Sequence, residues 1–467
     1  MSVFPADGVA FDLTVPVVIV GGGACGMVAA LAAADRGAEV IVLERDPVPR
    51  GSTALSSGMI PACGTKVQSA KGIEDTPEVM AADIKKKARG EADPAVVEAV
   101  CAASGPAIDW LTDRHGIELT LVEGFVYPGH SCLRMHAPPS RAGADLIGAL
   151  SAGVERADVD VVTDAHATTL YADADGRLRG LAFERPDGTR ESLGCRALVL
   201  ACNGYGGNPE MIRRYIPDMA EANYFGHAGN RGDAVLWGRD LGAGVRHVGA
   251  YQGHGSVAHP HGVLVTWALM MEGGFQVNAE GRRFSNEHDG YSEQARRVLA
   301  QPGGIAWDIY DHRIHALGRE FEDYGQAEDA GAIRSAAGTG ELAEATGLPA
   351  DNLAATIEEV HRFAAGEGQD PFGRDFTTKP ALEPPYYAVR VTGSLFHTQG
   401  GLVVDGKARV LKEGGTPLPN LFAGGGAACG ISGPADWGYL SGNGLLTAVV
   451  LGRIAGEGAA SRAACAL

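Results

Sequence analysis

The 467-residue chain is poor in several things, and each shortage closes a class of function. Basic residues are outnumbered, 39 Lys and Arg against 57 Asp and Glu, for a formal net charge of -18. A nucleic-acid phosphate backbone needs a basic footprint, so no nucleic-acid partner is expected, and an anionic membrane surface is disfavoured for the same reason. No stretch reaches the ~18–20 apolar residues of a membrane span. The opening residues MSVFPADGVAFDLTVP lack a basic n-region, a twin Arg and a cleavable apolar core. No secretory signal is read there, and a cytoplasmic location is expected. The eight cysteines include no C-x-x-C pair, which leaves structural zinc, iron–sulfur clusters and attached haem without support. Reduced, packed thiols are the simplest reading. His247, His254, His259 and His261 follow the spacing H-x6-H-x4-H-x-H, which fits no short zinc pattern, so no metal is expected.

Glycine, by contrast, is abundant at 67 residues, which implies many tight turns and close backbone approaches. The length exceeds one ordinary core, so two domains are expected. Residues 17–20, VVIV, read as a buried parallel strand. They run into Gly21-Gly22-Gly23-Ala24-Cys25-Gly26 and then an Ala-rich helix. This is G-x-G-x-x-G in its strand–turn–helix setting. Gly21 allows the tight turn, Gly23 lets a pyrophosphate reach the backbone, and Gly26 lets helix and strand pack closely. The phosphates would sit on the helix N-terminus with Ala24 and Cys25, where unpaired N–H groups favour negative charge. A second strand, residues 39–43, ends at Glu44, eighteen residues after Gly26, where a carboxylate can accept from an adenosine ribose; Arg45 follows it.

NAD and FAD share this fingerprint, and the next segment separates them. RDPVPRGSTALSSGMIPACGT resembles the G-G-[NS]-T-x-x-[SA]-x-G loop of the fumarate reductase/succinate dehydrogenase flavoprotein family. The resemblance implies FAD, with Ser52, Thr53, Ser57 and Gly58 near its phosphates and the flavin edge. It continues through RALVLACNGYGGNPEM (196–211), GDAVLWGRDLGAGV (232–245), NAEGRRFSNE (278–287), HTQGGLVVD (397–405), NLFAGGG (420–426, with Gly425) and SGNGLLTAVVLGRIAG (441–456). The implied fold is α/β: a discontinuous Rossmann-like FAD-binding domain with a parallel sheet, residues 1–205 and 385–467, and an α+β substrate-capping domain, residues 206–384. Within the cap, residues 352–365 have the pattern of an amphipathic surface helix. The histidines from 247 to 261 would be cap-loop residues facing the substrate cleft. At the last helix, Ser441, Asn443, Gly444, Leu445 and Leu446 would meet the flavin pyrimidine, the positive helix end stabilising reduced flavin. No second dinucleotide motif is present, so an external electron acceptor is expected (a quinone, a dye-like carrier or oxygen).

Departures from the family pattern carry the substrate reading. Where its G-A-N-R-x-G-G-N motif has a substrate-clamping Arg, this chain has Tyr439; where a proton-donating Arg follows the N-E pair, it has Tyr291. Phenols do not neutralise a dicarboxylate, but they can donate to a ketone and, when ionised, take a proton. The double replacement resembles the 3-ketosteroid dehydrogenase branch, and Tyr439 with Ser441 is most like the Δ4-(5α)-dehydrogenases. Tyr127 stands, by a looser match, where Δ1-dehydrogenases have another active-site tyrosine. The implied reaction desaturates a cyclic ketone, a 3-ketosteroid or a smaller cyclohexanone. Tyr439 and Ser441 would polarise the carbonyl; Tyr291, relayed by Tyr127, would take the α-proton; the β-hydrogen would leave as hydride to flavin N5. His397 would either donate to the carbonyl or pack beside the flavin. Two readings stay open beside this one: an ene-reductase acting on a non-dicarboxylate enone or acid, and a catalytically idle flavoprotein.

Overall fold

The computed structural model describes residues 2–124 and 126–465. Strand Leu13–Val20 buries Val17 to Val20 on both faces and lies between Val40–Leu43 and Arg190–Leu200, parallel to each. A run without alternation is what a strand covered on both sides requires. Asp160–Val162 extends the parallel set beyond Val40–Leu43, and Pro417–Ala423 joins the end of Arg190–Leu200 through Leu198 and Leu421. The antiparallel strands Leu178–Glu184 and His166–Ala172 continue the sheet, which has nine strands among the described residues. The α/β class with a parallel-containing sheet is the one expected from the sequence.

Two helices on this sheet come from opposite ends of the sequence. Ala24–Asp35 packs on Asn443–Ala464 through small residues. A β-carbon on Gly456 would lie 2.1 Å from Ala29 O, and one on Gly452 would lie 2.6 Å from Cys25 O. The helices therefore touch backbone to backbone.

The second sheet has seven strands among the described residues. Tyr386–Thr398 is its central member, with Tyr251–Ala258 on one side and Ile305–Asp311 on the other, both antiparallel. A domain boundary at 384/385 therefore falls one strand early, because these thirteen residues belong to the second sheet. Helix Tyr291–Leu299 covers the sheet, and a separate apolar core, including Trp267, Phe275 and Val389, fills it. Ala350–Ala364 forms the expected amphipathic helix and buries Leu353, Ile357 and Val360. Ahead of the covering helix, Glu287 is fully buried between Arg283 and Arg374, each 2.9 Å away. Burial alone would raise this carboxyl; the two guanidiniums override it and hold it down to about 2. No helix of the described residues is long and apolar enough to cross a membrane.

Candidate active site

One large cleft runs from the first β-turn to the start of the last helix, with an empty volume of about 1800 Å³ including its open mouth. At its nucleotide end, Gly21 has φ +107°, and a β-carbon there would lie 2.6 Å from Ala201 O. At Gly26 it would lie 1.8 Å from Gly21 O, so only glycine closes this turn. Helix Ala24–Asp35 starts at Gly23 with no capping side chain of its own. Thr53 Oγ1 instead accepts the Ala24 N–H at 3.0 Å, which ties the Ser-rich loop to the helix start. Glu44 accepts from Gly22 N–H at 2.6 Å and from Asp46 N–H at 3.0 Å, so the carboxylate braces the turn as well as facing the cleft. Arg45 donates to the Gly229 carbonyl. Ser52 Oγ accepts from His227 N–H at 3.1 Å and from Asn230 Nδ2 at 2.9 Å, joining the loop to the segment that follows the first domain's long strand. Glycine backbone at a helix start is a cradle for phosphates.

At the other end, Gly442 (φ +81°) opens helix Asn443–Ala464, again without a side-chain cap. Tyr291 and Tyr439 meet there edge to face, ring centroids 5.9 Å apart. Burial, then Tyr439 beside it, raises Tyr291 well above the ordinary phenol value, with the Ser441 hydroxyl acting against the rise. Burial also raises Tyr439, to about 12, while the Gly444 N–H, Tyr291 and the Gly442 N–H pull it back. His397 lies 5.6 Å from Tyr439, ring to ring, and a β-carbon on Gly444 would sit 2.6 Å from His397 Nε2. Gln399 Nε2 is 2.7 Å from His397 Nδ1, and burial lowers the imidazole to about 4, so it is neutral. Tyr127 lines the same cleft and is likewise raised, by burial first and Tyr291 second.

The cleft wall thus gathers Tyr127, Tyr291, His397, Tyr439 and Ser441 at one end. Gly21, Gly23, Ala24, Cys25, Glu44, Arg45, Ser52, Thr53, Ser57, Gly425, Gly444 and Leu445 line the remainder. Four expected cofactor residues are not in the wall. Gly26 serves the turn, and Gly58 packs against Ala142. Leu446 faces the first core. Asn443 is buried, bonding Ser432 through Nδ2 at 3.1 Å while its Oδ1 has no protein partner. Of the four spaced histidines only His254 reaches the cleft, stacked on Tyr291 with centroids 4.8 Å apart; it lies on a strand, not a loop. Its Nδ1 accepts the Ser256 N–H at 3.1 Å, and burial lowers it to about 3, which leaves the proton on Nε2. The expectation that these histidines face the cleft therefore holds for His254 alone, and its place in the strand YQGHGSVA was the signal that could have singled it out. Arg45 is the one Lys or Arg in the wall among the described residues, and it stands at the nucleotide end.

A family model described as an FAD binding domain matches residues 16–445. The chain belongs to this family. A probable fumarate reductase of Shewanella frigidimarina is 30% identical over 452 residues, covering 96% of this chain and 75% of that protein. The 4-oxocyclohexanecarboxylate 2-dehydrogenase of Sinomonas cyclohexanicum is 26% identical over 575 residues, covering 97% and 96%. The 3-ketosteroid-Δ4-(5α)-dehydrogenase of Rhodococcus jostii RHA1, solved with 4-androstene-3,17-dione, superposes with a TM-score of 0.76 at 25% identity, covering 97% of this chain and 98% of that one. This member of the FAD-binding family is an FAD-dependent oxidoreductase, and FAD is its cofactor. The two helix starts and the glycine-lined turn fit that group.

Proposed function

We propose that this flavoprotein desaturates a cyclic ketone at the bond α,β to its carbonyl. One observation carries the reading: among the described residues, the cleft beside the start of helix Asn443–Ala464 offers two phenols, a serine hydroxyl and neutral imidazoles, and no guanidinium or ammonium. A dicarboxylate would lose its hydration there without a counter-charge. A ketone has one acceptor oxygen and an apolar body, and the wall suits both, with Met59, Phe225, Trp267 and Phe396 beside the polar groups. The relatives that act on 4-oxocyclohexanecarboxylate and on ketosteroids support a cyclic ketone.

In this mechanism Tyr439 donates to the ketone oxygen, its own oxygen backed by the Gly444 and Gly442 N–H groups at the helix start. Carbonyl polarisation acidifies the α-carbon, and Tyr291 takes the α-proton, with Ser441 stabilising the phenolate. Tyr127 passes that proton on. Bound FAD supplies the acceptor for the hydride that leaves the β-carbon. The carbon–carbon double bond forms from the electrons of the broken α C–H bond, so proton and hydride together account for the two hydrogens lost. An external acceptor, a quinone or oxygen, then removes the two electrons from the protein.

The same geometry favours one alternative. Both phenols are held protonated, and a protonated Tyr291 is equipped to give a proton to an α-carbon, the direction of an ene-reductase. Anaerobic mixing with saturated 3-ketosteroids and cyclohexanones, followed at the flavin band near ~450 nm, separates the two. Bleaching by a ketone is expected, with Tyr291→Phe slowing it about 100-fold or more. Reoxidation of dithionite-reduced protein by enones, with no bleaching by any ketone, would establish the reductase instead.

A further inference from the structure

The turn from Tyr439 to Gly444 is held by a side chain that no step above uses. His130 is buried, and its Nε2 lies 2.9 Å from the carbonyl oxygen of Ser441. Its Nδ1 lies 3.4 Å from Arg134 Nη1. A guanidinium only donates, so Nδ1 accepts and the ring proton sits on Nε2, donated to Ser441. Burial, with Arg134 beside it, lowers the imidazole to about 4, so this neutral tautomer persists at physiological pH. Arg134 is clamped in turn: Nε and Nη2 each lie 2.9 Å from Asp75, and Nη1 lies 2.7 Å from Asp83. The His130 N–H donates to the Tyr127 carbonyl at 3.1 Å. A β-carbon on neighbouring Gly129 would lie 2.7 Å from Leu440 Cδ1. One braced turn therefore contacts both the Tyr127 backbone and residues 440–441.

In a trans peptide the carbonyl oxygen and the following N–H point in opposite directions. Fixing the Ser441 oxygen fixes the direction of the Gly442 N–H, one of the two backbone N–H groups that pull the Tyr439 phenol down. We propose that His130 is a positioning residue of this site: it draws the Ser441 carbonyl away from the cleft, aims the Gly442 N–H at Tyr439, and sets the start of helix Asn443–Ala464 against the flavin. The proposal rests on the role assigned to Tyr439 above.

His130→Gln, His130→Asn and His130→Leu, each purified with FAD, test it. The glutamine amide reaches the place of the imidazole Nε2; the asparagine amide stops one methylene short. Two readouts are taken: the reduction potential of the substrate-free flavin, and the rate of its reduction by a ketone. The Leu and Asn variants are expected to shift the potential to more negative values and slow reduction about tenfold or more, with Gln returning both toward wild type. General loosening would not separate Gln from Asn, and that pair suffices if the Leu variant does not fold. Equal behaviour of Asn and Gln, or wild-type potential and rate in all three, overturns the proposal. If no ketone reduces the wild type, the desaturase reading fails alone, and the potential still decides the role of His130.

Discussion

At Tyr291 the proposed reaction needs a phenolate, and burial, reinforced by Tyr439, opposes one. The reactive base is the minor form throughout the neutral range, and its fraction rises tenfold per pH unit until the raised phenol value is reached. Flavin reduction by a ketone should therefore climb with a slope near one on a logarithmic plot from about pH 7 to about pH 10. A stopped-flow profile that is flat over that range would remove Tyr291 as the base. Tyr439→Phe, which deletes the donor but keeps the ring, should slow reduction by about 10²–10³-fold, the usual cost of one oxyanion donor, with FAD content unchanged by absorbance. Tyr291, Tyr439 and Ser441 were legible in the sequence because each stands beside a motif that fixes its position in the chain. His130 was not: it sits in GFVYPGHSCLRMH, and its partner, the Ser441 carbonyl, is 311 residues away and has no side-chain signature.

Strand Ile305–Asp311 carries Asp308 into the middle of the second sheet, fully buried, where Gln276 Nε2 donates to it at 2.7 Å and the Ser256 hydroxyl donates to its other oxygen. Burial raises the carboxyl from 3.8 to about 7 against these two bonds. A folded value above the unfolded one disfavours the charged form, so the strand carries no such cost below about 3.8, a growing one as pH rises, and the whole of it above about 7. Asp308→Asn can keep both partners and removes the cost. Its melting temperature should exceed wild type at pH 8, by up to a few kcal/mol of stability at about 1.4 per pKa unit, with the gain vanishing near pH 4. A gain independent of pH would count against the ionisation argument. The strand–turn–helix around Gly21 was readable because its signal is local, within about thirty residues. That strand Tyr386–Thr398 pairs in the second sheet was not legible, because a strand's own sequence does not say which sheet it will join.

At the scale of the whole molecule, helix Ala24–Asp35 and helix Asn443–Ala464 join the two ends of the sequence backbone to backbone. Gly456→Ala would set its methyl 2.1 Å from Ala29 O, and the helices would have to separate. The expected result is a loss of about 1–3 kcal/mol together with weaker FAD retention, read by thermal melting and by flavin released on dilution; an unchanged melt would show that the pair has slack. The second helix begins 408 positions after the first one ends. At about 5–20 residues per second on the ribosome, roughly 20–80 seconds separate the emergence of the two partners. Through that interval the nascent nucleotide fold has an uncovered apolar flank and no complete flavin cradle, so a chain halted anywhere in the cap region would emerge colourless and in need of a chaperone.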